Sequence, residues 1–480
     1  MSHTRTERAM SDANVRSQAK RSSLVQHVSV FVVFAGSLAI YIEALRVTYS
    51  EFMAPRFAYL GWVYHEPSFM WMLLSYALLL AASAFLPYRV ERFSGYAVWF
   101  LYTALLVPVA TLPQYGGGRT PEDTFAFAVF CSAVWIAVAL LLRRKTALLI
   151  PINLSSGMLL WVLVAAISVV TYVYLAVVFG ITFNIVSVFE IYDTRLAYRD
   201  EVIPTVPLLG YLITNQGNVI NPFLMAFGLL KRKYWLFALG VVGQLLIYST
   251  TGYKTVLISI PLCLLLVFLL NKRTSIVGAM VVVGASALAW LSIAADRVAS
   301  IGLVDVLVAR TFMTAGYLMP LYRDVYDEGA WALWDYSFLG PFVEAPYQTS
   351  PGFYVSAVLL NRPDVQLNAS LFADGYANLG FIGIAVEAAF LVMLLFLVDS
   401  ASRGLPAAIV VPTGLLPVFS LANASPFSAV LSYGFGLLVL LLALYPREEA
   451  SGLHASEDPT GPRRLPARRS SRPRRLSHAD

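Results

Sequence analysis

The chain has 480 residues, 58% of them hydrophobic and 13% charged, and a formal net charge of +6. Soluble domains run at about 45–50% apolar and about 25% charged, so this composition excludes an ordinary soluble enzyme. Uninterrupted apolar runs of spanning length also exclude an outer-membrane barrel, whose strands alternate and signal weakly; the fold class is all-α, a polytopic integral membrane protein.

In chain order, a cytoplasmic N-terminal tail over 1–27 comes first. A polytopic membrane domain over 28–445 follows, with apolar runs at 28–45, 68–86, 95–112, 124–142, 157–179, 210–230, 234–248, 255–270, 275–294, 379–398, 406–421 and 427–444. Each is a candidate span for the roughly 30 Å hydrocarbon layer once tilt is allowed for, about twelve transmembrane helices in all. With the N-terminus inside and the spans alternating, 24 of the 34 Lys and Arg fall on the inner side, including the short runs 143–145, 231–233 and 272–273. That is the positive-inside pattern, and it puts both termini in the cytoplasm. The first run exceeds the apolar part of a signal peptide and is expected to be retained. Residues 446–480, rich in Arg, Pro and Ser, form a basic tail too polar to bury a core. It suits a tether to anionic membrane lipids or a docking tail for a cytoplasmic partner; no nucleic acid is expected.

Two large loops share the outer face, 181–206 and 296–378, the second immediately before the tenth run. Within it 301–327 reads as helix, with a bend at Pro320, lying along the outer face. Trp331, Trp334, Tyr336, Phe338 and Phe342 suit the membrane–water interface. The two cysteines sit in apolar runs and no pair among the five histidines has ligand spacing, so neither a metal nor another cofactor is expected.

Candidate residues cluster on the outer side, where the orientation rule does not supply basic charge. Arg195 and Arg199, four apart, would share a helix face and suit a pyrophosphate through forked guanidinium contacts, or they pair locally with Asp193, Asp200 and Glu201. Lys254 starts a helix, where a cation beside free N–H groups makes an anion site, or it snorkels to the interface. Arg310 stands among apolar neighbours and needs an anionic partner, from protein or ligand. Thr214, Asn218 and Asn221 fall on one helical face by their spacing; they bond between helices or line a hydroxyl-rich ligand. Asp374, in the stretch Asn368 to Asn378, is the carboxylate to test first as a general base for a sugar hydroxyl. Glu387, near the middle of the tenth run, is costly there and reads as paired or protonated inside the bundle, with a direct role as the alternative.

Taken in order, Tyr192-Asp193-Thr194-Arg195, Gly217-Asn218-Val219-Ile220-Asn221-Pro222, Gln244 to Thr255 around Thr251-Gly252-Tyr253-Lys254, Arg310-Thr311-Phe312 with Tyr322, and Asn368 through Asp374 to Asn378-Leu379-Gly380 resemble the Wzy-type O-antigen polymerases, the oligosaccharide repeat-unit polymerases. The resemblance covers roughly 155–398. It implies glycosyl transfer at the outer face of the cytoplasmic membrane, without metal. A chain carried on polyprenyl pyrophosphate would pass to the next lipid-linked unit, in a pathway that includes a chain-length regulator. It implies catalytic roles for Asp374 and Arg310. Substrate contacts fall to Arg195, Arg199, Lys254, Tyr322, Asn218, Asn221, Asn368 and Asn378. Relatives often use an outer-face histidine; here only His65 is outside, in a different loop. The competing expectations are a flippase or transporter of lipid-linked oligosaccharides, also commonly twelve-span, and another lipid-diphosphate glycosyltransferase such as a ligase or a peptidoglycan polymerase.

Overall fold

The computed structural model describes residues 29–58, 62–116, 118–143, 152–179, 207–271, 276–344, 346–347 and 349–447; both tails and the 181–206 loop, with Arg195 and Arg199, lie outside the described residues. Each of the twelve apolar runs is helical. The helices are α1 (Ser29–Arg56), α2 (Phe69–Ser83), α3 (Phe93–Gly116), α4 (Pro121–Arg143), α5 (Gly157–Val178), α6 (207–230), α7 (Tyr234–Thr251), α8 (Lys254–Asn271) and α9 (Met280–Ala299). The long loop contributes α10 (304–326) and α11 (Pro351–Leu360). Then come α12 (Leu371–Ala401), α13 (Ala407–Thr413), α14 (Leu415–Ser420), α15 (Pro426–Ser432) and α16 (Phe435–Leu444).

Among the described residues, eight helices are long and apolar enough to cross a membrane, α1, α3, α4, α5, α7, α8, α9 and α12. The pair α15–α16, bent by 59°, makes a ninth if it is one span. The expected twelve are therefore not all continuous apolar helices. The 406–421 run breaks into α13 and α14 at Gly414, where a Cβ would stand 2.2 Å from the Phe93 ring. The 68–86 run is helical for only 15 residues. The 275–294 run starts late because Ile276–Val277 first pairs, antiparallel, with Arg89–Val90, the one departure from all-helical structure among the described residues.

The loops contact one another in two separate sets. On the side expected to be inner, Arg143 donates to the Leu86 carbonyl at 2.6 Å and Arg447 to that of Ala401 at 2.6 Å. Ser94, at the start of α3, donates its N–H and its hydroxyl to Asp399 (2.9 and 2.6 Å). On the other side Arg297 grips Glu51, Arg56 pairs with Asp305 and the His65 N–H donates to the Tyr115 carbonyl.

α12 occupies the centre, packed against α3, α4, α10, α15 and α16. It is not straight. Leu379 (φ −160°) and Gly380 (φ 59°) leave the helical region, and the short arm before them folds back on the long arm after them. A Cβ on Gly383 would lie 1.9 Å from the Gly375 carbonyl oxygen, and one on Gly375 would lie 2.7 Å from Ile384 Cα. Only glycine lets two backbones come this close.

α10 bears out the helix expected over 301–327 and packs firmly against its neighbours. Its first part, Val304–Met313, is π-helical and its second, Thr314–Tyr326, is α-helical, running through Pro320. Asp296 anchors its start by accepting from the Leu303 and Val304 N–H groups (2.9 and 2.7 Å). Val308, Met313, Met319, Tyr322 and Tyr326 are buried, because one face packs on α3 and the other on α12. Arg323, 6% exposed, holds Asp123 with both terminal nitrogens (2.8 and 3.0 Å) and stacks on Phe127 at 4.7 Å. Arg119 bridges Asp324 and Asp327 (2.7 and 2.8 Å), and Asp327 accepts from the Tyr376 hydroxyl. Asp123 remains partly wet, which keeps the pair short of a fully buried one. Arg323→Ala is expected to cost about 2 kcal/mol, read as a lower unfolding temperature in detergent, with Arg119→Ala costing less.

Candidate functional site

Asp374 lies in the first turn of α12, after Ser370, whose hydroxyl accepts the Ala373 N–H. Asn378 is four residues on, so both side chains share one face. The Asn378 amide donates to the Asp374 carboxylate (2.9 Å) and to the Tyr336 hydroxyl (3.0 Å), and the Tyr336 hydroxyl donates to Asp374. The Asn378 oxygen accepts the Trp334 N–H at 2.6 Å. Leu333 and Trp334 both have left-handed backbone (φ 51° and 59°), a cost that the backbone bonds of 332 and 333 to the carbonyls of Ala377 and Asn378 help to hold in place.

Glu387, 0% exposed, is the hub behind this turn. It accepts the Trp334 indole N–H (2.6 Å) and the Ser425 hydroxyl (2.8 and 3.0 Å to its two oxygens). Burial, and next the nearby Asp374 charge, push the Tyr336 phenol well above its ordinary value, so it stays a donor.

The remaining residues singled out in the sequence are placed as follows. Tyr322 is buried, its hydroxyl donating to the Leu367 carbonyl (2.9 Å); Asn368, half-buried, follows directly. Arg310 is exposed at the end of the π-helical stretch, a geometry common at functional positions. Its carbonyl accepts the Asn423 amide at 3.2 Å, and its charge acts on the half-buried Tyr317 phenol. Lys254 opens α8, half-buried.

The expected common face of Thr214, Asn218 and Asn221 is not observed. A π-helical turn at Gln216–Ile220 resets the register between them. Thr214 bonds back to Gly210, Asn218 reaches the Tyr433 carbonyl (3.3 Å), and Asn221 joins a dry network. Its oxygen accepts from Tyr172 (2.9 Å) and Gln216 (2.8 Å) while its amide donates to Gln244 (3.2 Å), which in turn donates to Ser259 (2.8 Å). This network ties α5, α6, α7 and α8, the between-helix reading. Asn221→Leu is expected to strip the Tyr172 hydroxyl of its acceptor and the Gln244 oxygen of its donor and cost about 2–3 kcal/mol in a denaturation series, with activity per folded molecule unchanged.

The sequence reading missed the segment 421–434. It supplies Asn423 to Arg310, Ser425 to Glu387 and Tyr433 to Asn218. Through it Arg310, Asn218 and Glu387, which backs the turn of Asp374 and Asn378, meet one stretch of chain. It was unremarked because its polar residues are small and follow no spacing rule. Also missed was Asp335. Asp374 is only 2% exposed and sealed by Tyr336 and Asn378; Asp335, on the same turn, is partly exposed. Burial pushes its carboxyl above the ordinary value, offset in part by the Tyr336 backbone N–H it accepts.

Comparison with protein-family models, with curated proteins and with solved structures finds no match for the chain.

Proposed function

We propose that this protein is a polymerase of lipid-linked oligosaccharides, acting at the outer face of the cytoplasmic membrane, with about twelve spans and both termini inside. The observation that carries the reading is the convergence on residues 421–434. Exposed Arg310, through its carbonyl, and Glu387, which backs the turn of Asp374 and Asn378, both bond to this segment, and Arg310, Asp374 and Asn378 belong to the ordered motifs that resemble the O-antigen polymerases. The separation of loop contacts into two sets supports the alternating topology.

In the proposed reaction a hydroxyl oxygen of the lipid-linked acceptor bonds to the anomeric carbon of the growing chain. The bond from that carbon to the donor's pyrophosphate oxygen breaks, and polyprenyl pyrophosphate leaves with the electron pair. Arg310 and Lys254, with Arg195 and Arg199 of the undescribed loop, stabilise the charge gathering on the leaving group. The hydroxyl proton goes to a carboxylate on the 333–378 face. Asp335 has the access a base needs, whereas Asp374 fixes Tyr336 and must be unsealed before it can act. Transfer is therefore expected to rise with pH through a midpoint above the ordinary carboxylate value of about 4, since the base acts ionised. A pH–rate profile of Asp335→Asn that keeps this limb would return the role to Asp374.

One set of observations favours a second reading, a flippase. Helices broken at 379–380 and 433–434 and a buried carboxyl pair are features of transporters. Reconstitution with purified lipid-linked repeat units separates the two. Longer saccharides on the lipid mean polymerase; movement across the bilayer without bond formation means flippase.

A further inference from the structure

Asp374 is closed off by a strap of chain, residues 331–342, that crosses the short arm of α12. The described hydrogen bonds that leave this strap end on α12. The Ala332 and Leu333 N–H groups donate to the Ala377 and Asn378 carbonyls (3.0 and 3.4 Å). These carbonyls are open to such bonds because α12 breaks directly after them, at Leu379 and Gly380. The Trp334 N–H donates to the Asn378 side chain and its indole N–H to Glu387, both at 2.6 Å, and the Tyr336 hydroxyl donates to Asp374. Within the strap, successive turns close on themselves, with the N–H groups of Asp335, Ser337 and Gly340 donating to carbonyls three residues back. The strap can therefore move as one piece. Its flanks, 327–330 on one side and Pro341 and Phe342 on the other, are exposed.

Against these bonds stands a strained hinge. Leu333 and Trp334 both have left-handed backbone, φ 51° and 59°. That region is routine for glycine, occasional for Asn and Asp, and unfavourable for other residues because of the Cβ. Two such residues in succession persist only where their surroundings over-determine them. Strain and latch thus sit on the same two residues. If Leu333 and Trp334 relax, the direction of the chain changes after them, and Tyr336 leaves Asp374. Bonds that close a segment and strain that opens it make a two-state element. We propose that residues 331–342 are a lid on Asp374, which opens when Leu333 and Trp334 return to ordinary backbone and so frees the carboxylate for a hydroxyl-bearing ligand. In the closed lid the Tyr336 phenol stands in for that ligand, since it donates the hydrogen bond that the ligand's hydroxyl would donate. A ligand opens the lid only as far as it binds the uncovered carboxylate better than the covered one. The motion rests on the strap alone; that the incoming hydroxyl belongs to an acceptor sugar rests on the polymerase reading.

The test compares Leu333→Gly with Leu333→Ala in the full-length protein in detergent. Both lose the leucine side chain, so its packing cancels; alanine keeps the Cβ strain and glycine does not. Hydrogen exchange of the strap amides, 332–336, is expected to be about five- to tenfold slower in Leu333→Gly than in Leu333→Ala. Modification of Asp374 by a water-soluble carbodiimide and glycine ethyl ester, read by mass spectrometry, is expected to slow by the same factor. Asp335, already partly exposed, should react equally in both. Leu333→Asn, which tolerates the same backbone, is expected to fall between the two, and it takes the place of Leu333→Gly if glycine loosens the fold. Equal exchange in the variants overturns the proposal, as does a strap that exchanges only together with α10 and the long arm of α12. In the transfer assay kcat/KM for the acceptor is expected to be lower in Leu333→Gly than in Leu333→Ala by the factor seen in exchange. A lid detected by exchange in a protein that forms no glycosidic bond would sink the polymerase reading and leave the lid standing. Transfer with equal exchange would do the reverse.

Discussion

Gly383→Ala is expected to be among the most damaging single-methyl changes in the protein, costing about 3 kcal/mol or more. The added Cβ would lie 1.9 Å from the Gly375 carbonyl oxygen, a backbone atom that cannot swing away as a side chain could. To relieve the overlap the two arms of α12 must part. Asp374 and Asn378 ride on the short arm and Glu387 on the long one, so parting them breaks the bonds that seat Trp334 and Tyr336. The outcome is checked by thermal unfolding and size-exclusion chromatography in detergent, beside Gly284→Ala, where a Cβ meets nothing within 4 Å. A Gly383→Ala protein as stable as wild type would mean that the fold-back is not the ground state.

Arg310→Ala is expected to lower transfer by 100-fold or more while leaving the fold intact. The size follows from removing a preorganised positive donor at a site of developing anionic charge, typically worth about 10²–10³ in rate. The intact fold follows from the bonding pattern: the described hydrogen bonds of residue 310 run through its carbonyl, which alanine keeps, and its side chain is exposed. Arg310→Lys should recover only part of the loss, because an ammonium keeps the charge but not the planar fork. Full-length polymer made by Arg310→Ala at normal protein levels would remove Arg310 from the site.

Much of this was legible in the sequence, and the reasons for the remainder are physical. Asp374 and Asn378 fall, by sequence, in the loop before the tenth run; the helix in fact starts at Leu371, and only that sets the two on one face four residues apart. The loops could be given expected sides because positive charge obeys the membrane rather than the packing. The common face of Thr214, Asn218 and Asn221 failed at one π-helical turn, which leaves no composition mark and yet rotates everything after it. Trp334 and Tyr336 look like interface aromatics in the sequence. Their inward direction is decided by left-handed backbone at 333–334 and by Glu387, 53 residues away in the case of Trp334. Ser425 could not be found at all by spacing, since its partner is fixed only by how α12 and α15 meet.

The dependence of the site on 421–434 has a consequence for biosynthesis. Arg310, Asp374 and Glu387 all emerge from the ribosome before Asn423 and Ser425 do. A nascent chain halted after α12 holds a carboxyl inside the bilayer with its Ser425 donor not yet made, a condition costly enough to mark an unfinished protein. Completion of this turn thus waits for the segment after α12, with only α15 and α16 still to follow. Ribosome-bound chains ending shortly before and shortly after α15 should differ sharply in protease resistance of the long outer loop, although both already contain all of it.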